Sequence, residues 1–121
     1  MADRTTGIKT LLIVEHSLAM RRLIRTLLAG SVEQIVECSV AREALSAYAN
    51  CRPDWVLVDI NTGATEGIST TRRIKELFPE ANIAVLADYD DPAIREAAFR
   101  AGASGYVVKE DLRSLPSLLS T

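Results

Sequence analysis

A chain of 121 residues has room for one compact domain around one core and for no second domain of ordinary size. Hydrophobic residues make up 48% and charged residues 25%, the balance of a globular protein in water, and aromatics at 5% leave the core to Leu, Ile, Val and Ala. A formal net charge of -2 argues against direct nucleic-acid binding. No apolar run reaches the length of a membrane span, and the opening MADRTTGIKT is too polar for a signal peptide, so the cytoplasm is the expected compartment.

In chain order, residues 1–7 read as a polar extension and 8–121 as the domain. Thr10–Val14 is the first of five short apolar runs; the others are Gln34–Cys38, Trp55–Asp59, Ile83–Ala87 and Gly105–Val108. Three of them are nearly unbroken in apolar character, as strands are when helices cover both faces of a parallel sheet. The intervening segments carry helical spacing. Met20, Leu23, Ile24, Leu27 and Leu28 share a face, with Ser17 as the expected cap and Gly30 as the stop. Arg21, Arg22 and Arg25 lie largely off that face and read as a solvated one. Ala41, Ala44, Leu45 and Tyr48 form a second face, and Ile68, Thr71, Ile74 and Leu77 a third, ended by Pro79. Ile94, Ala97, Ala98 and Ala101 form a fourth, capped by Asp90 or Asp91 and ended by Gly102. In the last segment Pro116 interrupts Leu112, Leu115, Leu118 and Leu119, so its helix is expected to be short, kinked or restarted near Ser114. Strand–helix alternation of this kind predicts a doubly wound α/β fold with a five-stranded parallel sheet. Cys38 and Cys51 form no CxxC pair and read as packing residues.

In such a sheet the functional groups gather beyond the carboxyl ends of the strands. Those ends carry Glu15 and His16, Asp59, Ala87 and Asp88, and Lys109. Acids at two strand ends and a lysine at a third form an uncommon combination. The segments LLIVEHSLAMRRLIRTLL, PDWVLVDINTGATEG, AVLADYDDP and AFRAGASGYVVKEDL together resemble the receiver domain of two-component response regulators over nearly the whole chain. The resemblance implies the flavodoxin-like strand order 2-1-3-4-5. It implies Asp59 as phosphoryl acceptor and Lys109 as the cation beside the phosphoryl group. It further implies Glu15, Asp59 and the backbone carbonyl of Asn61 around Mg²⁺, and Tyr106 as the aromatic switch. A non-enzymatic signalling role follows, with a sensor histidine kinase or another signalling protein as partner. The surface of fourth helix, fifth strand and fifth helix is implied for output or for a homodimer.

Three positions depart from the family pattern. His16 replaces the second acid, and imidazole is a poor ligand for Mg²⁺. Ala87 replaces the family's Ser or Thr, so no hydroxyl bonds a phosphoryl oxygen. Asp88 replaces a very small residue. The expectation is therefore an atypical receiver with weak Mg²⁺ binding and impaired phosphorylation, in which His16⁺ fills the cation site as an internal counter-ion. The alternative is a conventional switch phosphorylated on Asp59. Asp59 could equally persist as half of an ion pair with Lys109, and Asp88 as a substitute metal ligand is a lesser option. A haloacid-dehalogenase-like phosphatase would need a second acid where Asn61 stands, as general acid for the leaving group. A flavin binder would need a glycine-rich phosphate loop where HSLAMR stands.

Overall fold

The computed structural model describes residues 7–60 and 66–120. The polar extension, all but Gly7, and Asn61 therefore lie outside the described residues. Among those described, five strands form one parallel sheet in the order β2-β1-β3-β4-β5. They are β1 (Ile8–Val14), β2 (Val32–Cys38), β3 (Trp55–Asp59), β4 (Ile83–Ala87) and β5 (Gly105–Val108). Between them run α1 (Leu18–Leu27), α2 (Ala44–Cys51), α3 (Glu66–Leu77) and α4 (Pro92–Arg100), and α5 (Leu115–Leu119) follows β5.

The alternation of side chains along each strand divides the core in two. Leu11, Ile13, Leu57 and Leu86 meet Ile24 and Leu28 of the α1 region and Leu115 and Leu119 of α5. Leu12, Val14, Val56 and Val58 meet Ala44 and Tyr48 of α2 and Ile74 of α3 on the opposite face. Val85 and Ala87 continue that second face toward Ala98 of α4. Every residue of β3 and β4 is buried, which is why these runs carry no polar alternation. Each such Leu or Ile contributes about 1.5–3 kcal/mol on burial.

The helix ends follow the local chemistry. Ser17 accepts a hydrogen bond from Met20 N–H, and Asp91 accepts from Ala93 and Ile94 with Pro92 at the first helical position. Gly30 and Gly102 take positive φ after their helices. After β5 the chain makes a 3₁₀ segment, Lys109–Ser114, broken at Asp111, before α5 starts. Pro116 falls in the first turn of α5, where its missing N–H costs no helical bond.

One expectation is corrected. Arg22 and Arg25 are exposed as expected, but Arg21 is half-buried, and Arg21 and Arg25 both reach Glu37 on β2, Arg21 Nε at 2.6 Å. The hydrogen bond from Arg25, joined by Arg21, holds the Glu37 carboxyl below its usual range against the opposing pull of burial. Trp55 lies in the core, as does Cys38.

Candidate functional site

The parallel register brings the ends of β1, β3, β4 and β5 to one edge. Val14 pairs with Val58, Asp59 with Leu86, and Ala87 with Val108. The next residue along three of these strands is therefore Glu15, Asp88 or Lys109, each beside the Asp59 that ends β3. Sequence separations of up to 94 residues close into one pocket because adjacent parallel strands end together.

Asp59 and Glu15 are each 1% exposed. The Lys109 ammonium reaches Asp59 Oδ2 at 2.9 Å and Asp88 Oδ1 at 3.0 Å, so one cation bridges two acids. Burial pulls the Lys109 pKa down, but its hydrogen bonds to Asp59 and Asp88 and the charges of both outweigh this, and it lies above the ordinary lysine value. Glu15 has no such partner. Its Oε2 accepts from Ser17 N–H at 3.0 Å, while Oε1 is buried without a hydrogen-bond donor. Burial, with Asp59 in hydrogen-bonding reach, pushes the Glu15 pKa up to about 7, against the lowering pull of Ser17 and Lys109. Burial beside a second carboxyl thus favours the protonated form of Glu15 over that of a free side chain.

His16 does not fill the cation site. Its side chain is 65% exposed, with Nδ1 3.5 Å from Glu15 Oε2, at the rim of the pocket. An imidazole turned outward keeps its water, whereas entry would desolvate it. The internal counter-ion is Lys109. The ion pair of Asp59 with Lys109 is present as one of the two expectations for that acid, and Asp88 joins it.

Ala87 is buried and borders a cavity of about 130 Å³ that Ile60, Asp88, Tyr89, Asp91 and Ile94 also line. Its methyl offers no donor to a bound anion. Tyr106, on β5, is half-buried and donates its hydroxyl to the Tyr89 carbonyl at 2.8 Å. The Arg95 guanidinium lies 4.5 Å from the Tyr106 ring centroid and pairs with Asp90. Tyr89 itself is 79% exposed.

Sequence reasoning missed two supports of the pocket. Arg21 Nη1 donates to the Glu15 carbonyl at 2.6 Å, fixing the backbone beyond β1. At Gly67 an added Cβ would lie 2.4 Å from Ile60 Cα and 2.6 Å from the Asp59 carbonyl oxygen. The first turn of α3 therefore abuts the end of β3. The available signal was the glycine itself, which weakens a helix unless close approach requires it.

The carboxylates are hard oxygen donors, and the buried Glu15 Oε1 has no hydrogen-bond donor. Glu15 and Asp59 fit a divalent cation of the Mg²⁺ kind. Among the described residues, no cluster of three or more His, Cys, Asp or Glu side chains completes such a site. No helix among them is long and apolar enough to cross a membrane.

Comparisons with known proteins identify the family and its fold. The chain is 34% identical over 101 residues to a chemotaxis protein CheY of Halobacterium salinarum, covering 84% of each. It is 29% identical over 105 residues to the transcriptional regulatory protein DegU of Brevibacillus brevis, covering 85% of this chain but 44% of that one. A two-component response regulator of the LuxR family from Aurantimonas superposes with TM-score 0.81 at 29% identity, covering 92% of this chain and 84% of that chain. Residues 11–119 match the response regulator receiver domain, and the chain belongs to that family.

Proposed function

We propose that this receiver accepts a phosphoryl group on Asp59 only slowly and signals mainly through protein contacts made by α4, β5 and α5. The observation that carries this reading is the Lys109 ammonium, already shared by two carboxylates, with His16 turned outward where a third acid would stand. In the transfer, an Asp59 oxygen attacks phosphorus, an O–P bond forms, and the bond to the donor's leaving group breaks with its electron pair. Lys109 orients the attacking carboxylate and meets charge on the transferred oxygens. Asp88 cancels part of that help, and Ala87 adds none.

Glu15 and Asp59 would hold Mg²⁺, weakly, because they supply only two carboxylates. When bound, the ion supplies charge neutralisation at the transferring oxygens, worth several kcal/mol. A shortfall of about 4 kcal/mol slows transfer roughly a thousandfold. The partner on this reading is a sensor histidine kinase or another signalling protein. Recognition would use the surface carrying Tyr106, Arg95 and the exposed Tyr89, through which a homodimer is also compatible. Direct nucleic-acid binding and enzymatic turnover form no part of the role.

The test is incubation with acetyl phosphate and Mg²⁺, followed by mass spectrometry of the intact protein. Slow label that Asp59→Asn abolishes is the expected outcome. Asp59-dependent label at the rate of an ordinary receiver, measured side by side, would establish the conventional switch instead.

A further inference from the structure

Lys109 is held from two sides by acids of unlike accessibility. The Asp59 side chain is fully buried, whereas that of Asp88 is 46% exposed. An ammonium has three N–H donors, and two already point at carboxylates. An anion approaching the third would sit beside the Asp88 charge in a partly dry pocket, where like charges repel strongly. Asp88 is the arm that can leave, since water is available to its carboxylate and the adjoining cavity of about 130 Å³ gives it room to turn.

We infer that Asp88 is a positioning residue that occupies, on Lys109, the place of an incoming phosphoryl oxygen, so that the chain carries its own competitor for the anion. This deepens the proposed function and rests on the reading of Asp59 and Lys109 as the phosphoryl site. The competitor is a carboxylate on the β4–α4 loop, so its hold on Lys109 weakens when that loop moves. Nothing covalent is required. Displacing Asp88 leaves Lys109 with Asp59 and two free donors for the anion.

The experiment separates this inference from the acceptor reading by removing the acceptor. Inorganic phosphate is titrated at constant ionic strength into Asp59→Asn and into Asp59→Asn/Asp88→Asn, followed by the NMR signals of the Lys109 ammonium and the Asp88 amide. The double variant is expected to bind phosphate at least threefold more tightly. Asp59→Asn/Asp88→Glu, which keeps the charge, is expected to stay within twofold of Asp59→Asn alone. A general loss of structure would weaken binding, so a gain is not its signature; Asp59→Asn/Asp88→Ala provides a second neutral variant should the first fold poorly. Equal or weaker phosphate binding in both neutral variants would overturn the inference. In parallel, Asp88→Asn alone is expected to take label from acetyl phosphate about fivefold faster than the wild type. If neither protein is labelled while phosphate binding still tightens, the acceptor reading falls and the competitor role of Asp88 stands.

Discussion

The two ends of the sheet treat their acids in opposite ways. At the amino end, Asp54 spends its carboxylate on backbone, accepting from Lys9 N–H at 2.8 Å and Thr10 N–H at 3.0 Å. Those bonds tie the start of β1 to the turn before β3, and Asn82 adds a bond to the Asp54 carbonyl. At the carboxyl end, Glu15 and Asp59 are buried and neighbouring, and the Lys109 ammonium pairs with Asp59. One end uses an acid to close the fold. The other retains acids at a cost to the fold, as expected where binding or transfer is the purpose. The difference teaches that residue type alone does not assign a role; burial and available donors do.

The largest test of this contrast strikes the carboxyl end through its backbone. Gly67→Ala would force a methyl against Ile60 and the Asp59 carbonyl, and overpacking of backbone is expected to cost about 3 kcal/mol. Urea denaturation would show it, and an unchanged midpoint would mean that α3 is not tightly seated on the end of β3.

The next test uses pH. The folded Glu15 pKa, about 7, lies above its ordinary value of 4.5, so the folded protein holds more protons than the unfolded chain between these values. Its contribution is fully present below about 4.5 and is lost as pH rises through 7. In metal-free buffer the wild type should therefore lose roughly 2 kcal/mol relative to Glu15→Gln between pH 4.5 and 7.5. Parallel stability profiles for the two proteins would show that burial does not hold a proton on Glu15.

The smallest effect is expected at the amino end. Asp54→Ala leaves two backbone donors near solvent, where water replaces part of the loss, and should cost about 1 kcal/mol with no change in phosphate binding. A change in binding would contradict the division of labour between the ends.

Much of this architecture was legible in the residues. The bounds of β3, β4 and β5 coincide with the apolar runs, because strands covered on both faces leave no polar interruption. β1 and β2 begin two residues earlier than their apolar runs, at Ile8 and Val32, where they pair with each other. Backbone pairing there extends past the fully buried stretch, and periodicity does not register it. Ser17, Asp91 and Pro116 set their helices locally, so sequence neighbours sufficed. The strand-end positions of Glu15, Asp88 and Lys109 beside Asp59 were legible too, since parallel register fixes them.

Rotamers were not. Whether Lys109 turns to one acid or two, and whether His16 enters or leaves the pocket, depends on competing desolvation and hydrogen bonding among groups from different strands. The same holds for the pairing of Arg21 and Arg25 with Glu37 on β2, which the spacing of a helix face does not reveal.

The hydroxyl of Tyr106 rests on the carbonyl of Tyr89, the residue directly after the acid that grips Lys109. Position 87 lacks the hydroxyl that would join pocket to surface through side chains, yet this stretch of main chain spans the same gap. One peptide link separates that acid from the residue whose carbonyl the tyrosine holds, so a torsional adjustment at Asp88 would reach the surface through main chain, with no side chain needed between them.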